Sequence, residues 1–410
     1  MMLSTPQWRT GVPHLEVARV RPPNPFQVDT VRGTANGDGT LALPLNSLAA
    51  AVAVCAGIEG QVIQVVAPES TPLRQEVNYE SSLTLTVEGH GGQNWYIYGS
   101  DDLSRAWSGA GPVYSRVLNY TILTQVVVTS LTEVIDGETF KRKLLINTAT
   151  PTTPGPGEFG YVGGVLYVRL WDSSPAPAQT FEVARRNTCV STYGSGGLTL
   201  RNVVARHALV NGLHNGRSGQ PIGTGNLYVL DSLVEYCVNG GVGAAGQNEE
   251  TICTRVVTRR VANDGYNLHV NSGRGYMELR GCVGSFSGDK AGQSAQGASC
   301  HEYSHMVIKG GEYSSSVSGG MVAINDSRCD IYGNTEWGPV VMNRNMRLGN
   351  TAGPVSTQAS CAWLDSSFGV VMGEVTVSNG KGVGVRATAA VEGAQLITSI
   401  GNALADVITA

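Results

Sequence analysis

The chain is short of charge, of aromatic side chains and of helical periodicity. Charged residues make up 15% of its 410 positions and aromatic residues 7%. The net charge is −4, which excludes a general electrostatic attraction to nucleic acid or to an acidic membrane and leaves room only for local basic patches. No run of 18 apolar residues occurs, so no membrane insertion is expected. The longest candidate, 41–56, is interrupted by Pro44, Asn46 and Ser47. The opening MMLSTPQWRTGVPHLEVARVRPP lacks a continuous apolar core and is not expected to act as a secretory signal. The eight cysteines, at 55, 189, 237, 253, 282, 300, 329 and 361, form no CxxC pair. That spacing suits neither a zinc site nor a redox motif, and free buried thiols are expected.

What the chain does have is glycine, 53 of 410 residues, roughly twice the usual share. Hydrophobic residues are 41%, so disorder is not expected. Gly-rich, Val/Ile/Thr/Ser-rich and helix-poor is the composition of many short strands joined by tight turns, an all-β fold.

Residues 1–32 read as an extended arm, with Pro13, Pro22, Pro23 and Pro25 discouraging regular structure. Ser47 is placed to cap a short helix, Leu48 to Ala56, with Gly57 ending it. That helix is apolar nearly all round and must be covered. GQVIQVV (60–66) then reads as a strand, and Leu83, Leu85 and Val87 alternate with polar residues in the next. The order of capping helix, GQVIQV, a Pro-containing turn, RQEV and SLTLTVEG resembles the opening of pectate-lyase-like proteins, whose fold is a right-handed parallel β-helix. The resemblance implies that the helix plugs the open end of a solenoid over residues 33–390. It also implies action on polysaccharides, as in phage tailspikes and in polysaccharide lyases and epimerases.

Five regions follow. They are the arm 1–32, the helix and first coils 33–92, a β insertion 93–187, the main coils 188–390 and an apolar tail 391–410. Within the insertion, GEFGYVGGVLYVRLWD predicts a hairpin turning at Gly163-Gly164. Trp95, Trp107, Trp171, Tyr96 and Tyr98 can form a sugar-stacking platform or cover a sheet face as core. From 188 onward the chain repeats. Aligning Asn211-Gly212, Asn239-Gly240 and Asn263-Asp264 gives steps of 28 and 24 residues (211 to 239 to 263), a period of stacked units rather than of separate domains.

The chemistry concentrates in 262–305, which holds Asp264, His269, Asp289, His301, Glu302 and His305. Asp264 and Asp289 are 25 residues apart, one coil, and side chains at equivalent coil positions stand about 4.8 Å apart. The polar excursion 291–300 is expected to bring Glu302 beside them. That would assemble the carboxylate pair that glycoside hydrolysis needs, one protonated and one ionised. Glu302 is the expected general acid, with His269 and His301 as partners. Tyr266, Lys290, His305, His214, Trp107 and Trp171 are expected substrate contacts. A lyase would instead use a cation such as Lys290, Arg259, Arg260 or Lys309, with Tyr266 or His301 as base. Asp264, Asp289 and Glu302 are also a hard-oxygen set of the type that binds Ca²⁺, without a calcium-loop motif; no other cofactor is expected. HEYSH (301–305) fits HExxH, but it leads straight into the strand pattern MVIKGGEY, whereas zinc chemistry needs a helix there.

The expectation is therefore a tailspike-like depolymerase of a complex bacterial surface or capsular polysaccharide. It would be a homotrimer attached to phage baseplate or tail proteins through its N-terminal arm, located in the virion tail and outside the cell after lysis. The competing readings are a uronate lyase or epimerase and a non-catalytic receptor-binding fibre. The apolar stretch 396–410 must be covered, by the last coil or by other subunits.

Overall fold

In a computed structural model, residues 24–345 are described except for 105, 110, 122, 136, 217–224, 246–249, 270–274, 289–294, 326 and 334–335. Beyond 345, the description covers strands at 362–364, 369–372, 375–378, 383–387, 391–392, 398–400 and 405–409. The chain is all-β with large parallel sheets: one of eighteen strands, one of ten, and two smaller sheets of seven and two.

The chain passes back and forth between the two large sheets, and each pass pairs in parallel with the one before. In the eighteen-stranded sheet Val87, Leu200, Val229, Cys253, Leu279, Ile308 and Ile331 fall in one column of directly paired residues. All seven are buried. In the ten-stranded sheet the matching column is Val77, Val190, Leu213, Val242, Tyr266, Ala298 and Met321. These two stacks face inward and form one continuous apolar core. The seven described cysteines are free and buried, most of them in such columns. Small apolar side chains suit a stack in which each residue lies on another of similar size.

The observed register differs from the repeat alignment by one residue at one step. Asn211 pairs with Gly240, a step of 29 (240 − 211), not with Asn239. The next step is 24, since Val242 pairs with Tyr266. A slip of one residue would turn Leu213 and Asn215 outward, so the buried face decides the register.

Five successive passes also bend at two left-handed residues each. Asn202, Asp231, Arg255, Gly281 and Gly310 have φ between 50 and 64°, and His207, Tyr236, Arg260, Phe286 and Ser315 between 52 and 60°. Each set occupies the same place on successive passes, just beyond the paired columns that end at Arg201 and Arg206. Most of these residues are not glycine, so composition gives no sign of the bends.

The helix spans Leu48–Cys55, with Ser47 accepting the amide of Ala50 and Ala56 closing its end. Leu48, Ala51, Val52 and Cys55 are buried against the strands Phe26–Asp29, Gln61–Val66 and Val77–Tyr79. The helix covers the first strands because their apolar column has no earlier pass to lie on.

The seven-stranded sheet runs from Ser100–Asp102 to Phe181–Ala184 and has its own core of Leu103, Val126, Phe159, Leu166, Val168, Phe181 and neighbours. The hairpin turns at Gly163-Gly164, where φ of 58 and 78° suits glycine. Trp107 packs on Phe181, with ring centroids 4.8 Å apart. Trp171 lies under the ammonium of Lys143, 3.9 Å from its ring centre. Trp95 and Tyr98 are buried among the parallel strands. The insertion is small and needs its large rings as core, and Trp107 and Trp171, half-buried, pack against that core.

The insertion meets the parallel strands across an ionic seam. Arg74 reaches Glu182 at 3.0 Å, Arg142 reaches Glu69 at 2.9 Å, and Arg260 reaches Glu133 at 2.7 Å. Arg206 holds Glu69 at 2.7 Å and Glu235 at 2.9 Å, and Arg259 holds Glu235 at 2.6 Å. The guanidinium groups of Arg259 and Arg260 also lie over Phe140 of the hairpin Glu133–Phe140. Both arginines, expected as substrate cations in a lyase, are thus engaged in docking the insertion.

Candidate functional site

The ten-stranded sheet hands the chain to the eighteen-stranded sheet through a turn at 301–304. That turn brings three of the predicted residues together. His269 Nε2 lies 2.9 Å from Glu302 Oε2, and the rings of His269 and His301 are 5.2 Å apart. Asn325 Nδ2 donates to Glu302 Oε1 at 2.9 Å. Burial holds His301 below the ordinary histidine value, against the opposing pull of Glu302. HEYSH forms this turn and the first residue of a strand, so its histidines do not share a helix face. Among the described residues no group of three or more metal-ligating side chains occurs.

Asp264 stands apart from this corner. It precedes the strand Tyr266–Leu268, five residues before His269, roughly 15 Å of extended chain. It is buried and accepts from Gln296 N at 2.9 Å, Ser299 Oγ at 2.7 Å and Asn267 Nδ2 at 3.0 Å. These bonds take up most of its acceptor capacity, so it has little left for a substrate or a calcium ion. Its neighbour one pass on is Gln296, not Asp289. Tyr266 pairs with Ala298, a step of 32 (298 − 266), because the excursion lengthens this pass beyond the expected 25. Asp289 and Lys290 lie outside the described residues. Tyr266 is buried in the inward column, its hydroxyl donating to Val256 O at 2.6 Å. His214 is buried as well, bonded to Asn211 at 2.8 Å, and burial lowers it to about 4. Neither presents a surface to substrate.

Asp264 makes a pH prediction. Burial raises its carboxyl from 3.8 to about 6, against the pull of Ser299, Gln296 and Asn267. The unfolded chain ionises this group near 3.8 and the folded chain near 6. The fold therefore loses stability as pH rises through that window. Relative to Asp264→Asn, the native chain is expected to lose about 2–3 kcal/mol between these values. Urea unfolding of both proteins at several pH values checks this, and parallel curves would refute it.

The outer face of the eighteen-stranded sheet, beside the corner, carries residues that sequence reading mostly missed. Tyr276, Glu278 and Arg280 point outward from one strand, His305, Val307 and Lys309 from the next, and Arg328, Asp330 and Tyr332 from the third. They align pairwise into a grid of three rows and three columns. Glu278 accepts from Tyr276 Oη at 2.8 Å and Arg280 Nε at 2.8 Å, and Lys309 Nζ lies 2.7 Å away. Burial alone would raise its carboxyl, but these partners outweigh burial and hold it at about 2. Burial, and then the adjacent Glu278, push the Tyr276 hydroxyl well above its ordinary value. Asp330 is bound by His305 Nε2 at 2.8 Å and Arg328 Nε at 2.9 Å. Tyr276 meets the His305 ring edge-on at 5.4 Å.

The exposures within this grid are ordered. The side chains of Glu278 and Asp330 are 6% and 4% exposed, whereas Arg280, Lys309, His305 and Arg328 are 33–41% exposed. A ligand on this face therefore meets cations held in place by carboxylates beneath them. The signal for the grid was present in YMELR, HMVIK and RCDIY as in–out alternation. Joining them required steps of 29 (305 − 276) and 23 (328 − 305), which turns of unequal length set. His305 and Lys309 were named from the sequence; Tyr276, Glu278, Arg280, Arg328 and Asp330 were not.

No family profile matches the chain, and no curated protein does. The solved structures that the chain matches include two at low identity. One, described as the complex structure of XylC with xylose, has a TM-score of 0.48 at 10% identity and covers 86% of this chain and 69% of that one. The other, described as a glycoside hydrolase, has a TM-score of 0.49 at 8% identity and covers 94% and 96%. Among the described residues no helix is long and apolar enough to cross a membrane.

Proposed function

We propose that this chain is a right-handed parallel β-helix that binds an acidic polysaccharide along the grid face and cleaves it there. The observation that carries the reading is the order of exposure, with three cations and a histidine above two buried carboxylates. Uronate, phosphate or sulfate groups on a glycan would exchange water for Arg280, Lys309 and Arg328, which Glu278 and Asp330 already hold in position.

The face suits elimination. His305, oriented through Nε2 by Asp330, has Nδ1 left to take the proton from the carbon beside a uronate carboxyl. The cations offset the charge that develops on that carboxylate. The bond from the β-carbon to the glycosidic oxygen breaks as a double bond forms, and the oxygen leaves with a proton from the Tyr276 hydroxyl or water. A second reading, hydrolysis, is supported by the spacing of Glu278 and Asp330. They lie two strand spacings apart across Val307, about 9.5 Å between backbones, comparable with the carboxyl separation of inverting glycosidases. Hydrolysis requires a protonated carboxyl, and Glu278 held at about 2 does not supply one near neutral pH. We extend the proposal to a trimeric, tailspike-like assembly, which would cover the apolar sequence 396–410.

The test is incubation with polygalacturonate, alginate, hyaluronan and a neutral dextran, read by retardation on affinity gels and by product analysis. Binding of an acidic polymer with unsaturated, near-UV-absorbing ends is the expected result. Reducing ends without that absorbance would replace elimination by hydrolysis. Preference for the neutral polymer would overturn the acidic reading.

A further inference from the structure

The corner turn beside the grid is held in an unfavourable backbone conformation. Glu302 and Tyr303 are consecutive, neither is glycine, and both are left-handed, with φ of 42 and 53°. Such residues persist only where their surroundings over-determine them, and they concentrate at functional sites. This turn is over-determined. Tyr303 N donates to Asn325 O at 3.2 Å, Ser304 Oγ donates to Glu302 O at 3.1 Å, and the Glu302 carboxylate is held by Asn325 and His269.

The result of that arrangement is an exposed ring. Tyr303 is 66% exposed and is the one aromatic among the large exposed apolar side chains of the described residues. Two positions later the chain enters the grid face at His305. Packing gives no reason for a tyrosine here, because its ring adds nothing to the core. A glycine would hold the same turn without strain.

We propose that Tyr303 is a stacking platform for a sugar ring of the polymer as it passes from the grid face over the corner, so that it sets affinity and register without taking part in bond cleavage. This rests on the polysaccharide reading above. A sugar ring's apolar face covers an aromatic ring, and a ring fixed in advance by the turn loses little freedom on binding.

The experiment compares the full-length chain with Tyr303→Gly, Tyr303→Ala and Tyr303→Trp, using polygalacturonate as probe. Affinity gels, KM and kcat, and thermal midpoints are read together. Tyr303→Gly is expected to keep or raise the thermal midpoint, because it relieves the turn, while weakening binding about tenfold. KM should rise with kcat little changed, and Tyr303→Trp should restore affinity. Equal binding by the native chain, the glycine variant and the alanine variant would overturn the platform while leaving the polysaccharide reading intact. Failure of the native chain to bind any acidic polymer would overturn both.

Discussion

Replacing His305 with alanine is expected to slow polymer cleavage by about 10²–10⁴-fold while leaving binding nearly intact. His305 is bonded through Nε2 to Asp330 at 2.8 Å, and the Asp330 side chain is only 4% exposed, so the ring is oriented by a rigid, buried carboxylate. His305 itself is 35% exposed and opens its strand, so its loss leaves no buried hole. Arg280, Lys309 and Arg328 stay in place because their carboxylate partners remain. Rates of product formation and affinity-gel retardation, measured on the same preparation, separate chemistry from binding. An unchanged rate would remove His305 as the base. Equal loss of rate and binding would make it a binding contact only.

Replacing Glu235 with glutamine is expected to destabilise the protein by about 3–5 kcal/mol, the cost of breaking a buried ion pair from one side. Glu235 is 3% exposed and accepts from both Arg206 at 2.9 Å and Arg259 at 2.6 Å. Arg206 is itself buried, and its remaining partners, Glu69 at 2.7 Å and the Tyr98 hydroxyl at 2.8 Å, belong to the same seam. Removing the charge of Glu235 leaves two guanidinium groups short of an anion where the insertion docks. Chemical denaturation gives the stability change. Limited proteolysis between 100 and 184 should show earlier cleavage in the variant. A change below about 1 kcal/mol would mean that the pairing is screened like a surface bridge.

The β character of the chain was legible in the sequence because it depends on local pattern. Val62 to Val66 form an apolar-rich run, Leu83 to Val87 alternate, Ser47 caps the helix and Gly163-Gly164 turns the hairpin, and each of these is visible over a few residues. The corner cluster was partly legible for the same reason, since His301 and Glu302 adjoin and His269 directly follows the strand Tyr266–Leu268. Asp264 was expected in a carboxylate pair with Asp289, and in the fold Ser299, Asn267 and the amide of Gln296 close over it. Trp107 and Trp171 were open to two readings, and in the fold both pack, half-buried, against the insertion's own core.

By itself the sequence determined that strands stack at intervals of a few tens of residues and that a capped apolar helix covers their start. Only the tertiary structure decided which outward side chains meet. Glu278, Lys309 and Asp330 become neighbours through steps of 29 and 23 residues, while a step of 32 sets Gln296 beside Asp264. The inward columns of Val, Leu, Ile and Cys set each step, because a slip of one residue would expose them to water. Which outward side chains share a face on such a stack therefore depends on turn lengths, which no local pattern encodes.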